Sequence, residues 1–547
     1  MVVVAVGPSR WIARVSMTNT PIRPGPLSAS ARKSWSPTCA SGVGDVVGLG
    51  ARDGGDDDNQ RRRIAVIGGG AAGLAAAKVF LENSAVFDVC VFEARANVGG
   101  VWDYNAAQNS ANKRLVDIRK DNGAPLPSPM YRSLRTNLPR EVMAYMSFPF
   151  ASDAEFVRDA RRYPTHEEVQ RYLEAYADAF HLNKHIRLDT EVVKITRSEK
   201  RVTNLGPAWD VLTNNGTMDT FDAVVVANGH YALPRIPSQL TIEQGAPSLV
   251  VHSVHYDDAD HDAFRNKRVV VVGTGASGVD IAMEVAEYAD EVILCYRRQS
   301  MAESTSSCSG NPIELGPTRG TRNNIRDARV APTHVAKDGT LTFEDGSVLA
   351  RGDFAAEDVV VVLATGYHVS FPFLDADNIS WDDNNVRPLV EHIFPAQGDI
   401  GPTLSFIGLP WKVVPFPLFE CQALWISKLL AGDTSATMPS DVVIKESVNA
   451  GRPAHHSHML GDLQWDYNLN LLSLAGISSS SARQMHRSWR QRMYDASGRN
   501  KRARGDHYRD ESPFDELDLD HAREEEVQRA GGINLCELIA QNTMTSV

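Results

Sequence analysis

The stretch IAVIGGGAAGLAAAKVF, residues 64–80, decides the fold. Its first four residues are apolar and largely β-branched, which is typical of a buried strand, and its last residues favour a helix. Glycines at 68, 70 and 73 lie between them in the spacing GxGxxG. This order predicts a tight turn at Gly68, a close approach to a pyrophosphate at Gly70 and close packing of helix on strand at Gly73.

A second strand, DVCVFE, ends at Glu93, twenty residues beyond Gly73. A carboxylate at this place accepts hydrogen bonds from ribose hydroxyls and suits an adenosine without a 2′-phosphate, as in FAD or NAD. The alternative is a glycine-rich turn that binds no ligand. The predicted contacts of this first dinucleotide are Gly68, Gly69, Gly70, Ala71, Ala72, Gly73 and Glu93.

The chain carries a second copy of the pattern. Residues 268–272, RVVVV, are followed by GTGASG and by the helical VDIAMEVAEYA. Here Arg297 and Arg298 stand where the first copy has Glu93, and guanidinium groups pair with the 2′-phosphate of NADPH. A solvated loop is the alternative for this arginine pair. The predicted contacts are Gly273, Thr274, Gly275, Ala276, Ser277, Gly278, Arg297 and Arg298.

Several longer segments carry a family resemblance. They include FEARANVGGVW (92–102), YRSLRTNLPREVMAYMSFPF (131–150), VVVANGHYALPRIP (224–237) and VVLATGYHVSFPFL (361–374). Together with the two glycine motifs, the chain resembles the flavin-containing monooxygenases over roughly residues 61–515. Within that family it is similar to the plant-type branch named for glucosinolate S-oxygenation.

The resemblance implies an α/β fold with two Rossmann-like dinucleotide-binding domains. The FAD-binding domain would comprise residues 61–235 and 364–547, with the NADPH-binding domain, 236–363, inserted between its halves. NADPH would reduce FAD, and O2 would add to the reduced flavin. The resulting C4a-hydroperoxyflavin would transfer one oxygen atom to a thioether sulfur or an amine nitrogen.

Asn137 matches the family's active-site asparagine, whose amide can donate and accept hydrogen bonds near the flavin. An Asx turn before Pro139 is the alternative use of this side chain. The resemblance also assigns cofactor contacts to Val101, Trp102, Asn137, Leu138, Thr365 and Gly366.

One segment departs from the family's identifying pattern, FxGxxxHxxxY. His252 and Tyr256 retain its end, whereas Ala246 and Ser248 occupy the Phe and Gly positions. Baeyer–Villiger monooxygenases carry Trp at the position of Tyr256, so the resemblance favours heteroatom oxygenation. The effect of Ala246 and Ser248 on this loop is left open.

Composition excludes several other classes. The chain has 547 residues and a formal net charge of -12, with no long basic stripe, which argues against a nucleic-acid partner. The six cysteines form no CxxC pair, which favours a reducing compartment such as the cytoplasm and argues against a zinc site. No stretch approaches the apolar length of a membrane span, so we expect a soluble protein. Residues 1–60, basic and rich in Ser, Gly and Pro at their start, predict either an organellar transit peptide or an unstructured extension.

Two other functions stay open from the residues alone: an NADPH-dependent flavoprotein reductase or uncoupled oxidase, and a nonenzymatic flavoprotein. A disulfide-type reductase is disfavoured because no redox cysteine pair accompanies the first glycine motif. We expect no metal, since His455, His456 and His458 have no nearby carboxylate or cysteine and suit a surface loop. The charged residues 499–529 predict a solvated C-terminal tail. Substrate, S-versus-N preference and oligomeric state are not readable from the sequence.

Overall fold

The computed structural model describes residues 61–104, 117–118, 127–202, 205–296, 313, 315–316, 323–375, 379–396, 400–439, 454–535 and 537–539. The predicted extension over residues 1–60 lies outside these ranges, as do Arg297 and Arg298. Across the described ranges, no helix is long and apolar enough to cross a membrane.

Each glycine turn lies between a strand and a helix, as the glycine motifs predict. The strands are β1 (Arg62–Ile67), β2 (Phe87–Phe92), β3 (Ile186–Arg187), β4 (Val192–Val202), β5 (Gly206–Thr213), β6 (Met218–Phe221), β7 (Ala223–Val226), β8 (Leu233–Pro234), β9 (Thr241–Ile242), β10 (Leu249–His252), β11 (Arg268–Val272), β12 (Glu291–Cys295), β13 (Ile325–Ala328), β14 (Pro332–Val335), β15 (Leu341–Phe343), β16 (Val348–Leu349), β17 (Val359–Leu363), β18 (Tyr367–His368), β19 (Leu389–Val390), β20 (Phe394–Pro395) and β21 (Leu404–Phe406). The helices are α1 (Ala71–Leu81), α2 (Arg140–Met143), α3 (His166–Ala179), α4 (Ala276–Val285), α5 (Pro415–Ala431), α6 (Gln464–Leu474), α7 (Ser479–His486), α8 (Ser488–Arg504) and α9 (Glu516–Gln528).

The first parallel sheet has the order β21-β7-β1-β2-β3. Residues 64–67 of β1 are buried on both faces, as expected for a central strand covered by helices. Helix α1 connects β1 to the parallel strand β2 and buries Leu74, Val79 and Phe80 against the sheet. The first glycine turn therefore lies at the carboxyl end of a central strand.

The second parallel sheet has the order β10-β17-β11-β12-β13. Four of its strands lie between Leu249 and Ala328, and the fifth, β17, follows later in the chain. Helix α4 connects β11 to β12. Strand β21 of the first sheet follows this whole region in sequence, so the second sheet is inserted in the first domain. The predicted fold class, two Rossmann-like domains with one inserted in the other, is confirmed. The chain passes between the two domains twice, once through β8 and once through β18. These two strands pair with each other in antiparallel orientation.

The prediction of a solvated tail over residues 499–529 is wrong. This stretch forms the end of α8, a 3-10 segment at Gly505–Asp510 and helix α9. Tyr508 and Leu519 are buried in a cluster that includes Trp489 and Met493. Three of its charged side chains, Asp518, Glu525 and Arg529, are buried, and Glu525 accepts hydrogen bonds from Arg490 at 3.0 Å and from Arg529 at 2.6 Å. The stretch is therefore folded onto the protein, with a few of its charges paired in the interior and the others at the surface.

Candidate active site

The first glycine turn is closed by the neighbouring strand end. Gly68 has φ 109°, and a Cβ built on it would lie 2.5 Å from the carbonyl oxygen of Ala227, which follows β7. A Cβ on Gly73 would lie 1.8 Å from the carbonyl oxygen of Gly68, so helix and turn are in direct backbone contact. Both positions require glycine for packing reasons, as the sequence predicts.

The second glycine turn repeats this arrangement. Gly273 has φ 116°, and its Cβ would lie 2.3 Å from the carbonyl oxygen of Ala364, which follows β17. A Cβ on Gly278 would lie 2.0 Å from the carbonyl oxygen of Gly273. Thr365 and Gly366 continue from Ala364, so these two predicted contacts lie at the strand end beside the second turn.

The middle glycine of each motif has a different environment. Gly275 is exposed, and a Cβ built on it would meet no protein atom within 4 Å. A Cβ on Gly70 would meet the backbone of Gly100 at 3.4 Å, which is ordinary contact. Because packing against the protein does not require glycine at Gly275, the missing side chain leaves room for a group outside the chain.

The two helices that follow the turns fit an anionic ligand. Helix α1 begins after Gly70 and α4 after Gly275, and neither has a side-chain cap or an acidic residue in its first turn. The first-turn N–H groups of a helix need acceptors, and the helix dipole favours negative charge there. Residues 70–73 and 275–278 therefore fit the pyrophosphates of two dinucleotides.

Glu93 lies at the end of β2 and is 6% exposed. Its Oε2 accepts a hydrogen bond from the N–H of Gly69 at 2.6 Å, and its Oε1 accepts one from the N–H of Arg95 at 2.9 Å. Burial raises the pKa of Glu93, against the lowering effect of these two bonds. Each carboxylate oxygen keeps a further lone pair, so the residue can also accept a ribose hydroxyl.

Val101 and Trp102 are held beside the first turn. The Gly99 N–H donates to the carbonyl oxygen of Gly69 at 3.0 Å, and Gly99 and Gly70 form an isolated parallel bridge. Trp102 also packs on the hydrophobic core of the first domain. The structure thus brings residues 68–73, Glu93, Val101 and Trp102 together.

Asn137 is exposed, and its neighbours are fixed. The Thr136 N–H donates to the carbonyl oxygen of Pro164 at 2.8 Å, and the Thr136 hydroxyl donates to the carbonyl oxygen of Leu138 at 2.9 Å. Leu138 packs on the first core. The exposed Asn137 side chain therefore extends from a backbone that its neighbours hold in place.

His252 and Tyr256, the residues retained from the pattern FxGxxxHxxxY, form hydrogen bonds within the second domain. His252 is 1% exposed; its Nδ1 accepts from the Val254 N–H, and its Nε2 contacts the carbonyl oxygen of Gly366 at 3.0 Å. Burial lowers the pKa of His252 to about 4, which keeps the ring neutral. The Tyr256 hydroxyl donates to Glu284 on α4 at 2.7 Å. Ser248, at the family's Gly position, donates to the carbonyl oxygen of Ala356 at 2.8 Å.

Comparison with known proteins agrees with this geometry. The chain matches the model of the flavin-binding monooxygenase-like family over residues 61–337 and 332–467. The chain belongs to this family. It is 35% identical over 456 residues to flavin-containing monooxygenase FMO GS-OX-like 4 of Arabidopsis thaliana. This alignment covers 80% of this chain and 91% of the relative. It is 36% identical over 412 residues to FMO GS-OX5 of the same plant, covering 72% and 81%.

Solved structures show the same likeness. S-allyl-L-cysteine S-oxygenase from Allium sativum superposes on this monooxygenase with a TM-score of 0.69 and 31% sequence identity, covering 86% of this chain and 99% of the other. Tmm from Pelagibacter sp. strain HTCC7211 shares the fold, with a TM-score of 0.58 and 23% identity.

The predicted enzyme class is therefore confirmed: the chain is a flavoprotein monooxygenase, an oxidoreductase. The predicted flavin cofactor is confirmed at the level of this family. NADPH stays a prediction. The individual site residues stay predictions.

His458 has a structural environment that the sequence does not reveal. It is 5% exposed, its Nε2 accepts from the Val386 N–H at 3.0 Å, and its Nδ1 lies 2.9 Å from Nδ1 of His392. For this histidine the expectation of a surface loop is wrong. Its ring joins two segments of the core of this monooxygenase.

Sequence reasoning missed the turn Ala227-Asn228-Gly229 as a site element. It follows β7 as Ala364-Thr365-Gly366 follows β17, and Gly229 and Gly366 both have positive φ with no protein atom within 4 Å of a built Cβ. Asn228, Gly229 and His230 line a cavity with Phe371 and Gly408 at this end of the first sheet. The repeated A-x-G after an apolar strand was the available signal.

Proposed function

We propose that this monooxygenase oxidises a thioether to a sulfoxide with NADPH and O2. FAD would bind the first domain, residues 61–235 and 364–547, and NADPH the inserted domain, residues 236–363. The observation that carries the proposal is the pair of glycine turns, each followed by an uncapped helix N-terminus at the carboxyl end of its own parallel sheet. One chain with two such sites suits electron transfer between two dinucleotides.

The first site suits FAD. The N–H groups at the start of α1 would donate to the pyrophosphate, and Glu93 would accept the adenosine ribose hydroxyls. A buried acid at this place disfavours a 2′-phosphate, because two negative groups would be forced together. Val101 and Trp102 would line the flavin side of the same pocket.

The second site suits NADPH. Gly275 leaves the N-terminus of α4 open to a pyrophosphate, and Thr365 and Gly366 lie at the adjacent strand end. Arg297 and Arg298, which follow β12 in sequence, would pair with the 2′-phosphate. The contrast in charge between Glu93 and this arginine pair supports FAD in the first domain and NADPH in the inserted domain.

Asn137 would bind beside the flavin. When bound, FAD accepts a hydride from NADPH, and its reduced ring activates O2 for transfer of one oxygen atom. The Asn137 amide can donate one hydrogen bond and accept another there, and its fixed neighbours Thr136 and Leu138 limit its movement. Excluding water at this point favours oxygen transfer over peroxide release.

The substrate class rests on the relatives. A thioether sulfur is a soft nucleophile, and S-allyl-L-cysteine S-oxygenase from Allium sativum, by its name, oxygenates one. The balanced reaction consumes one thioether, one O2, one NADPH and one proton, and yields one sulfoxide, one water and one NADP+. The sulfur lone pair forms the new S–O bond, and the other oxygen atom leaves as water.

The test uses purified, FAD-loaded full-length protein, with S-allyl-cysteine, methyl phenyl sulfide and N,N-dimethylaniline as separate substrates under 18O2. We expect 18O-labelled sulfoxide in proportion to the NADPH consumed and faster NADPH oxidation when thioether is present. If labelled N-oxide forms and sulfoxide does not, the proposed substrate class changes from a thioether to an amine. Hydrogen peroxide as the product with every substrate would contradict oxygenation, and a flavin that NADPH does not reduce would contradict the assignment of the second site.

A further inference from the structure

Helix α4 carries two carboxylates that are bound by residues outside the second sheet. Asp280 accepts a hydrogen bond from the Tyr131 hydroxyl at 3.3 Å, and Glu284 accepts one from the Ser133 hydroxyl at 2.7 Å. Tyr131 and Ser133 belong to the segment that leads to Asn137. The helix whose N-terminus suits NADPH is therefore attached to the segment that carries Asn137.

Arg509 connects the same two elements from the C-terminal segment. Its Nη2 donates to Oδ2 of Asp280 at 2.6 Å, and its Nε donates to the carbonyl oxygen of Thr136 at 3.0 Å. The side chains of Arg509 and Asp280 are 14% and 16% exposed. One guanidinium group thus contacts both α4 and the residue immediately before Asn137.

The backbone around Arg509 is fixed as well. Arg135 donates to the Asp510 carboxylate at 2.7 Å and to the carbonyl oxygen of Arg509 at 3.3 Å. Arg509 also lies beyond residue 467, where the match to the family model ends. Nothing in the two glycine motifs points to this residue.

We propose that Arg509 is a positioning residue that holds α4 against the Asn137 segment, so that bound NADP(H) stays beside the flavin. This inference rests on the proposed function of the second glycine turn. It assigns Arg509 two effects, one geometric and one electrostatic. The geometric effect is the bridge between Asp280 and Thr136. The electrostatic effect is neutralisation of a carboxylate one turn inside a helix whose first turn would bind a pyrophosphate.

The two effects predict separate consequences. Without Arg509, the partly buried charge of Asp280 would repel the pyrophosphate, and we expect NADP+ affinity to fall roughly tenfold. Lys501 lies within electrostatic reach of Asp280 and limits this loss. Without the bridge, the nicotinamide would be held less firmly, and a larger share of NADPH would be consumed to make peroxide.

The test begins with the dissociation constant of NADP+, measured by isothermal titration calorimetry on the oxidised, FAD-loaded enzyme. This readout does not depend on turnover. The second readout is the ratio of sulfoxide to hydrogen peroxide per NADPH. The variants are Arg509→Gln, Arg509→Lys and the double variant Asp280→Asn with Arg509→Gln. Arg492→Gln is the matched control, because Arg492 pairs with Asp518 at 2.5 Å in the same C-terminal segment.

We expect Arg509→Gln to bind NADP+ about tenfold more weakly and to release more peroxide. The double variant should recover the affinity, because the charge is gone, but not the product ratio, because the bridge is absent. Arg509→Lys should keep the affinity and lose part of the product ratio, and it supplies the test if Arg509→Gln does not retain FAD. Arg492→Gln should match wild type in both.

Affinity and product ratio within twofold of wild type in Arg509→Gln and Arg509→Lys would overturn the proposal. Recovery of both quantities in the double variant would overturn its geometric part. These outcomes are distinct from failure of the proposed function, in which the wild-type enzyme itself forms no oxygenated product.

Discussion

Gly275→Ala should separate the stability of this monooxygenase from its binding of NADPH. The residue has φ -64° and ψ 178°, a conformation that alanine adopts without strain, and the added Cβ meets no protein atom within 4 Å. Replacing a glycine in a compatible conformation raises stability by about 0.4–1 kcal/mol through the unfolded chain. Gly275 is also the N-cap of α4, where alanine is less favourable than glycine, so the two effects oppose each other and we expect a midpoint of thermal unfolding close to that of wild type.

The same methyl group should block the pyrophosphate. It projects into the space that the uncapped N-terminus of α4 leaves open, so at least one N–H bond to a phosphate oxygen would be lengthened or lost. A hydrogen bond to a charged group contributes about 1.5–3 kcal/mol, so losing one weakens NADP+ binding roughly 10- to 100-fold. The FAD content should be unchanged, because FAD is assigned to the other turn.

The assay compares the NADP+ dissociation constant, the NADPH KM and the thermal midpoint of Gly275→Ala with two glycine controls. Gly498→Ala adds a Cβ inside α8, 3.7 Å from the nearest described group, and should leave NADP+ binding unchanged. Gly278→Ala would place its Cβ 2.0 Å from the carbonyl oxygen of Gly273 and should destabilise the inserted domain. A Gly275→Ala enzyme with wild-type affinity for NADP+ would refute the assignment of the second turn.

Three further predictions concern the flavin side, the core and pH. Asn137→Ala should retain FAD and its reduction by NADPH while the ratio of sulfoxide to peroxide falls by about tenfold or more; a wild-type ratio would remove Asn137 from the site. Glu420 is 0% exposed and accepts hydrogen bonds from the N–H groups of Met146, at 2.6 Å, and Ser147, at 3.3 Å. Glu420→Gln should therefore lower the free energy of unfolding, measured by urea titration, by about 1–3 kcal/mol. Equal urea midpoints for variant and wild type would contradict this prediction. Burial lowers the pKa of His458 from 6.5 to about 3, so the unfolded chain binds a proton that the folded protein does not, and stability is lost as pH falls through this window. His458→Gln should reduce this acid sensitivity between pH 6.5 and about 3, and parallel midpoint-versus-pH curves for variant and wild type would argue against the role of His458.

The local parts of the fold were predictable from the sequence. Each glycine motif, with its flanking strand and helix, is specified within about thirty consecutive residues, and short-range sterics decide its geometry. Gly68 and Gly273 have the positive φ that the motif requires, and Gly73 and Gly278 have the backbone contacts that exclude a side chain. The inserted arrangement followed from the family resemblance, since strand order depends on contacts distant in sequence.

The connections between elements were not predictable in this way. Arg509 and Asp280 are separated by 229 positions in the chain. Asp280 lies in the helix of the second glycine motif, whereas Arg509 belongs to no short motif. His458 was expected in a surface loop because no cysteine or carboxylate nearby completes a metal site, yet Val386 and His392, from a distant loop, contact both of its ring nitrogens. Whether a polar side chain is buried depends on partners that local composition does not reveal.

The C-terminal segment, residues 499–529, shows most directly why burial of charged residues was not predictable from the sequence. Burying a single arginine or glutamate costs several kcal/mol, so a stretch rich in both is normally expected in solvent. Here Arg490 and Arg529 share the Glu525 carboxylate, and the Arg529 guanidinium also donates to the carbonyl oxygen of Met146 in the first domain. The backbone continues this attachment, because the Ile533 N–H donates to the carbonyl oxygen of Ser147 at 2.8 Å. The segment that supplies Arg509 is thus anchored on the first domain, to which we assign FAD, while the Arg509 guanidinium contacts the helix to which we assign NADPH. This attachment gives Arg509 a fixed base from which to hold α4.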